Sequence, residues 1–418
     1  MAMKKILLSI FSLFLLSACS TIATNDAKDY DFVIFDDQRA ITFNDEQGKL
    51  TKIEDRKLFS DGEQLQNVDF FESQGMIYGT ILHTYPVEFK HYRLDKEKLK
   101  MEKIVKPKGK DAYPAAFNGK FFYSAAIFSD RVEIYKYDTD FELILQKDFG
   151  IEEWGQLMVY DIIIKEGKLY LSISGEKFED LNKLMNDPVN YHGTVFHEIW
   201  ELSEDLEVLQ RFDLQGVGAP DLYHNYHNLI PIGDDTFYLS ETYTWTRKED
   251  IVDMVGKNIL RYNYKTGEKE FIPLKTLAPT ELHYDKERNV LQVLHDQLQV
   301  DPYTWTLINL TTGDQRILEF DRDDYHAAWN PFSTFYDGHY YYLFDTKLVK
   351  YNYDTQEKQS MTYPNTVSTL PRLSCSKMPF PTAKQRKGLK PAHLVSDLFL
   401  SSLFKHKLVV VKFGVEAV

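Results

Sequence analysis

Short segments in which apolar and polar residues alternate, each followed by a polar turn, run through most of this chain. The segment Tyr92-Arg93-Leu94-Asp95-Lys96 is representative. Alternation with a period of two places successive side chains on opposite faces of a strand, so these segments predict β-strands with one buried face. Seven such turns recur roughly 40 to 65 residues apart, and they are marked by Asp45, Lys96, Thr139, Glu204, Thr266, Thr312 and Thr355.

A second kind of turn precedes several of these markers and leads into an aromatic strand. It occurs at residues 118–123, 166–171, 233–238 and 337–342, where Gly, Asn or Asp interrupts the pattern. Such turns are typical of antiparallel hairpins, so each unit holds about four strands. Repeats of this length predict an all-β chain, a seven-bladed β-propeller of four-stranded antiparallel blades spanning residues 30–365. An irregular pair of β-sandwiches is the alternative.

The first repeat contains only three predicted strands, at residues 32–35, 40–43 and 49–54. A ring of blades has to close, because an open end exposes a sheet edge. We therefore expect a segment after Tyr363 to supply the missing strand.

The C-terminal residues 366–418 differ in composition from the rest of the chain. They contain nine basic residues, two acidic residues and no Tyr. The basic run at 384–391 predicts disorder, whereas residues 408–413 have the pattern of a strand. Two interpretations stay open: the tail is foreign to the domain, as a frameshift would produce, or it is a basic linker followed by a closing strand.

The N-terminus has the layout of a secretory signal. Lys4 and Lys5 precede the apolar run Ile6–Leu16, and small residues follow it. The run is too short to cross a bilayer, which takes roughly 20 apolar residues. Leu16-Ser17-Ala18-Cys19 resembles the lipobox of bacterial lipoproteins. The resemblance implies that residues 1–18 are removed as a signal peptide and that Cys19 carries palmitate-type acyl chains. Residues 19–29 would then tether the domain to the extracytoplasmic face of the cell membrane; an ordinary signal peptide with a chance Cys is the alternative.

Charge and cysteine content exclude several classes of function. The chain has 49 basic and 63 acidic residues, a net charge of −14. This balance argues against nucleic acid as a partner, since phosphate binding requires a basic face. Cys19 and Cys375 are the two cysteines, so a disulfide framework is not expected if Cys19 is acylated. No cofactor or metal is expected.

The candidate ligand site lies at one mouth of the predicted propeller. Two long connections in neighbouring units, Gly175–His197 and Tyr243–Lys257, are expected to form one wall there. Aromatic, histidine and amide side chains in this region suit sugar faces or protein hot spots. The candidates on this wall and in the segment between the two connections are Tyr191, His192, Tyr223, His224, Tyr226, His227 and Trp245. The alternative is that these rings pack the loops.

Alignment of the units on their glycine turns suggests a second set of candidates. It forms a ring at the channel rim, made of Asp69, Tyr113, Asp161, His227 and His283. Such a ring suits a small polar ligand. His224 and His227 are of a type that ligates metals, but no diagnostic ligand spacing supports a metal site.

Two functions are compatible with the sequence. The first is a membrane-anchored binding or scaffold module for an envelope glycan, a peptide or a protein. The second is an extracytoplasmic hydrolase or lyase that acts on a cell-wall or host polymer. The sequence contains neither a Gly-x-Ser-x-Gly elbow nor a His-Glu-x-x-His motif, which favours the binding module.

Overall fold

The segments with alternating polar and apolar residues form β-strands throughout the part of the chain that the structure describes. This structure is a computed structural model, and it describes residues 30–36, 39–46, 49–58, 66–73, 75–84, 87–106, 112–128, 131–150, 154–177, 194–216, 222–246, 254–295, 304–319, 333–336, 339–344, 347–362 and 409–412. Every helix or strand element in these ranges is a β-strand. In these ranges there is also no helix long and apolar enough to cross a membrane.

The strands of the described ranges form seven separate antiparallel sheets, numbered here in chain order. Sheet 1 contains β1 (Phe32–Asp36), β2 (Arg39–Glu46), β3 (Lys49–Lys57) and β29 (Val409–Lys412). Sheet 2 contains β4 (Gln66–Ser73), β5 (Met76–Thr84), β6 (Val87–Asp95) and β7 (Lys100–Val105). Sheet 3 contains β8 (Ala112–Phe117), β9 (Phe122–Ile127), β10 (Arg131–Tyr137) and β11 (Leu143–Gly150).

The remaining four sheets follow the same plan. Sheet 4 contains β12 (Trp154–Lys165), β13 (Lys168–Lys177), β14 (Thr194–Leu202) and β15 (Val208–Asp213). Sheet 5 contains β16 (Leu222–Ile232), β17 (Thr236–Thr246), β18 (Met254–Val255), β19 (Asn258–Asn263) and β20 (Lys269–Pro273). Sheet 6 contains β21 (Pro279–Asp285), β22 (Val290–His295), β23 (Thr304–Asn309) and β24 (Gln315–Glu319). Sheet 7 contains β25 (Ser333–Tyr336), β26 (His339–Phe344), β27 (Lys347–Asn352) and β28 (Lys358–Thr362).

The two kinds of predicted turn occupy fixed places in these sheets. All seven marker turns join the last two strands of a sheet, and the glycine turns join the first two. In sheet 5 the side chain of Asn263 accepts hydrogen bonds from the backbone N–H groups of Lys265 and Thr266, both at 3.0 Å. Gly267 follows with φ of 74°, a conformation that favours glycine. The same Asn-based turn recurs at Asn309 and Asn352, so the repeat has a local chemical cause.

Apolar side chains fill the spaces between neighbouring sheets. One core cluster joins sheets 4 and 5 through residues such as Ile199, Phe212 and Phe237. Another joins sheets 5 and 6 through Ile259 and Leu291. The first strands of sheets 2 to 6 also contact one another in order. Small sheets that pack face to face around a shared set of inner strands make this an all-β propeller with antiparallel blades, and the β-sandwich alternative is wrong.

Basic side chains connect some blades to a turn of the next one. Arg93 of sheet 2 donates a hydrogen bond of 3.0 Å to the carbonyl oxygen of Thr139 in sheet 3. Lys136 of sheet 3 donates one of 3.1 Å to the carbonyl oxygen of Glu204 in sheet 4. Such contacts satisfy turn carbonyls that the strand ladders leave open, and they fix the angle between neighbouring blades.

Sheet 1 combines strands from both ends of the chain. β29 pairs with β1 in antiparallel register, with Val33 opposite Val411. β29 also lies next to β25 of sheet 7. The fourth strand of sheet 1 thus comes from the segment after Tyr363. A side-chain contact links the same two sheets, since Lys350 Nζ of sheet 7 lies 2.7 Å from Asp45 Oδ2 of sheet 1.

The propeller has two unlike faces. One face contains the start of the first strand and the end of the second strand of each blade, and we call it the loop-bearing face. The turns described above lie at the opposite face, which we call the turn face. The two long connections expected at the loop-bearing face are shorter than the sequence suggested. β13 continues to Lys177 and β17 to Thr246, because the hairpin ladders extend beyond the predicted ends. His197 and Trp245 consequently lie in strands and not in loops.

Candidate functional site

The first strands of sheets 2 to 6 share an irregularity. Each contains a β-bulge part way along its pairing with the second strand. The residues that the register shifts leave without a ladder partner are Val68 and Asp69, Tyr113 and Pro114, Gly155 and Tyr160, Asn228 and Leu229, and Thr280. Bulges re-aim side chains and are over-represented next to active sites. Register shifts thus recur in the first strands of five consecutive sheets.

The ring predicted from sequence falls on these strands. Asp69 and Tyr113 are themselves bulge residues, and Asp161 and His227 flank bulges. His283 lies in β21, two residues beyond the bulge in that strand. The side chains of Asp69 and Tyr113 are outside the described part of the structure, so only their place in the strands is reported.

Asp161 accepts a hydrogen bond from the backbone of the neighbouring blade, at the bulge of β16. Its Oδ2 accepts a hydrogen bond of 3.1 Å from the backbone N–H of Leu229, one of the two residues that the β16 bulge removes from its ladder. A buried N–H without a partner is costly, so the carboxylate stabilises the bulge. The described geometry thus gives Asp161 a structural role between sheets 4 and 5.

Asn228 makes the corresponding link between sheets 5 and 6. It adopts φ of 58°, which Asn tolerates better than most residues. Its Nδ2 donates hydrogen bonds to Ser240 Oγ, at 3.4 Å, and to the carbonyl oxygen of Thr280. Thr280 is the residue that the β21 bulge leaves out of its ladder. The bulges of β16 and β21 are therefore each completed by a polar side chain from the preceding blade.

A group of polar rings and amides lies where the bulge of β12 meets β16, and we call Tyr160, Asn225 and His227 the Tyr160 cluster. The hydroxyl oxygen of Tyr160 accepts a hydrogen bond of 2.9 Å from Asn225 Nδ2. Ser174 Oγ lies 3.3 Å from the same oxygen. The ring of His227 lies over that of Tyr160, with centroids 4.2 Å apart. Three strands from two blades thus converge on one hydroxyl.

Burial keeps Tyr160 and its neighbour His197 neutral. Burial raises the pKa of Tyr160, although the hydrogen bonds from Ser174 and Asn225 oppose the shift. His197 also stacks on Tyr160, with ring centroids 5.5 Å apart. Burial, with a smaller effect of His227, lowers the pKa of His197 to about 3. The Tyr160 hydroxyl and the His197 imidazole are therefore uncharged at neutral pH.

His224 and Tyr226 belong to the packed interior and not to the rim. His224 Nδ1 lies 2.6 Å from Glu241 Oε1, and the other oxygen of Glu241 accepts hydrogen bonds from Lys257 N and Asn258 Nδ2. Burial raises the pKa of Glu241, but these hydrogen bonds outweigh it and lower the pKa overall. Tyr226 is fully buried in the core between sheets 4 and 5. Both residues are thus closed to a ligand at the surface.

The other candidates are placed only in part. Tyr223 and Trp245 face each other in the ladder of β16 and β17, but their side chains are outside the described part. Tyr191, His192 and Cys19 lie outside the described residues altogether. Nδ1 of His224 is engaged by Glu241, so the His224–His227 metal pair has no support from the geometry. In the described ranges there is no group of three His, Cys, Asp or Glu side chains that would hold a metal ion.

Tyr160 and Asn225 were missed by the sequence analysis. The available signal was weak: Tyr160-Asp161 interrupts the apolar pattern of residues 157–164, which a bulge explains. A period-two pattern cannot show which residue of a strand leaves the ladder. The arrangement offers hydroxyl, amide and imidazole groups, which suit hydrogen bonding to an uncharged ligand.

Comparisons with known proteins find only distant structural similarity. No protein-family model matches the chain, and no curated protein matches it. Solved structures do match, among them apo AztD from Citrobacter koseri, with 12% identity, a TM-score of 0.46, and coverage of 80% of this chain and 95% of that one. Another is a Bacteroides fragilis protein provisionally assigned as a 6-phosphogluconolactonase, with 13% identity, a TM-score of 0.48, and coverage of 80% and 94%. At these scores the similarity carries no argument about ligand or activity.

Proposed function

We propose that this protein is a lipid-anchored, extracytoplasmic propeller that binds a polar ligand at the inner strands of its blades. The observation that carries the binding proposal is the row of bulges in sheets 2 to 6, with polar residues at or beside each one. Bulges cost ladder hydrogen bonds, and proteins retain them where a side chain has to be re-aimed. The anchor rests on the lipobox-like sequence that ends at Cys19.

We also propose that the ring has seven blades, with sheet 1 as the seventh. Two contacts support closure: the pairing of β29 with β1 and the ion pair between Lys350 and Asp45. With sheet 1 in the ring, no blade is left with an exposed face at an open end.

The place where the chain enters the domain bears on its orientation. Tyr30 donates a hydrogen bond of 2.7 Å to the carbonyl oxygen of Lys96, in a turn of sheet 2. Asp31 N donates to the carbonyl oxygen of Phe43 at 2.9 Å, and Asp31 Oδ2 accepts from Asp45 N at 2.9 Å. The N-terminal chain is therefore fastened at the turn face.

The length of the proposed tether favours one orientation over the other. Eleven Cα–Cα steps lead from Cys19 to Tyr30, and they reach at most roughly 36–40 Å when fully extended. The blade height is similar, because β16 has 11 residues and each adds about 3.3 Å. Turning the loop-bearing face to the membrane would require nearly the whole extended tether to run along the side of a blade. The turn face should therefore face the membrane, and the loop-bearing face should point away from it.

Anchoring is tested by metabolic labelling with a radioactive fatty acid in a bacterial host. The wild-type chain should incorporate label and fractionate with membranes, and Cys19→Ala should do neither. Cys375→Ser is the matched control, since it removes the other thiol and should leave labelling unchanged. Equal labelling of Cys19→Ala and wild type would refute the anchor.

Orientation is tested on the lipidated protein in vesicles that contain an acceptor-labelled lipid. In a Cys375→Ser background, a donor dye is attached at Lys265→Cys, on the turn face, or at Thr246→Cys, at the opposite end of the same sheet. Energy transfer should be stronger from position 265. Stronger transfer from position 246 would overturn the orientation while leaving the anchor intact.

A further inference from the structure

We infer that the Tyr160 cluster binds a hydroxyl group of an uncharged ligand, such as a sugar unit of a neutral glycan. This inference rests on the proposed binding function and specifies the chemistry of its site.

Two adjacent hydrogen-bonding positions of the cluster are unused. Asn225 Oδ1 is buried and has no hydrogen-bond partner among the described residues. Next to it, the Tyr160 oxygen accepts from Asn225 Nδ2 and is in contact with Ser174. No acceptor for the Tyr160 hydroxyl proton is found in the described ranges when Asn225 and Ser174 act as donors. One acceptor and one donor thus remain side by side.

A hydroxyl group is the simplest partner for this pair. It donates one hydrogen bond and accepts others, so a single alcohol oxygen accepts from Tyr160 and donates to Asn225 Oδ1. A carboxylate or phosphate cannot donate to Asn225, and an ammonium group cannot accept from Tyr160. Hydrogen-bond direction therefore selects a hydroxyl group over a carboxylate, phosphate or ammonium group as the contacting group.

The surroundings of the pair support the same ligand class. The His227 ring, 4.2 Å from the Tyr160 ring, adds a flat surface beside the hydrogen-bonding groups, and sugar rings combine hydroxyls with apolar faces. Burial keeps Tyr160 protonated and His197 neutral, so neither supplies a charge that would attract an ionic ligand. An unpaired buried acceptor is costly, and a bound hydroxyl removes that cost.

The test uses the full-length chain with Cys19→Ala, which keeps the protein in solution and separates ligand binding from anchoring. The probes are neutral N-acetylglucosamine and glucose oligosaccharides, with uronic acid oligosaccharides as the charged comparison, measured by calorimetry and saturation-transfer NMR. A neutral oligosaccharide should bind, and its Kd should rise about five- to tenfold in Tyr160→Phe and in Asn225→Ala, the loss expected for one hydrogen bond.

The matched control is Tyr262→Phe, which removes a buried hydroxyl from the core between the same two sheets. It should leave the Kd within about twofold, and all variants should show the denaturant midpoint of a folded protein. The inference is overturned if no neutral oligosaccharide binds, if uronic acid oligosaccharides bind as tightly as neutral ones, or if Tyr160→Phe binds as well as the parent. None of these outcomes bears on the membrane anchor.

Discussion

His91 should make this propeller sensitive to mild acid, and the size of the effect follows from its burial. Its side chain has no exposed surface and packs against the rings of Phe122, Tyr137 and Phe141, with centroids 4.6 to 5.6 Å away. Burial lowers the pKa of His91 from 6.5 to about 3. The folded protein therefore keeps this imidazole neutral, whereas the unfolded chain protonates it below about pH 6.5.

The sign and magnitude of this change in the free energy of unfolding with pH follow from proton linkage. Between pH 6.5 and pH 3 the unfolded state binds the extra proton, so the free energy of unfolding falls as the pH falls. At pH 5.5 the unfolded-state group is about one pH unit below its pKa, which lowers the free energy of unfolding by about 1.4 kcal/mol relative to pH 7.5. His197, with a pKa of about 3, and His295, with a pKa of about 4, should add similar amounts, about 4 kcal/mol in total.

The assay is guanidinium unfolding at pH 7.5 and 5.5 for the wild type, His91→Phe and Phe122→Leu. His91→Phe keeps a ring among the same aromatic neighbours and should lose about 1.4 kcal/mol of the pH dependence. Phe122→Leu should lower the free energy of unfolding equally at pH 7.5 and pH 5.5, because it removes packing and not a titrating group. The pH dependence of the wild type should therefore be kept in full. If His91→Phe shows the pH dependence of the wild type, the buried neutral imidazole is not the cause.

Two further substitutions test how the ring is held together. Lys350→Met breaks the contact with Asp45, whose side chain is 9% exposed against 10% for Lys350. The buried carboxylate then keeps the hydrogen bond from the Tyr341 hydroxyl but loses its counter-charge, which should cost about 3 kcal/mol in thermal or chemical unfolding. Arg261→Met, at a surface pair, should cost less than about 1 kcal/mol. Equal costs would argue against the closure contact. Gly256→Ala would drive a Cβ atom into the carbonyl oxygen of Glu241 and should cost at least about 2 kcal/mol; an unfolding midpoint equal to that of the wild type would contradict the close approach.

The alternation of polar and apolar residues determined much of this fold without further information. The seven turn markers, the Asn-based turns at Asn263, Asn309 and Asn352, and the three strands of the first repeat all follow from local chemistry. Strand pairing by tight turns is a short-range property, because turn residues select their conformations from nearby groups.

The site depended on contacts that no local pattern encodes. At two of the bulges the preceding blade supplies the partner of a backbone group: Asp161 accepts from Leu229 N–H, and Asn228 donates to the carbonyl oxygen of Thr280. His224 looked like a rim residue but is buried against Glu241, because their strands pair over a longer stretch than the turn signals suggested. Period-two alternation determines that strands form and which faces they bury. Only the packing of one sheet against the next determines which polar side chains remain available to a ligand, since those partners are up to about 70 residues apart in the chain.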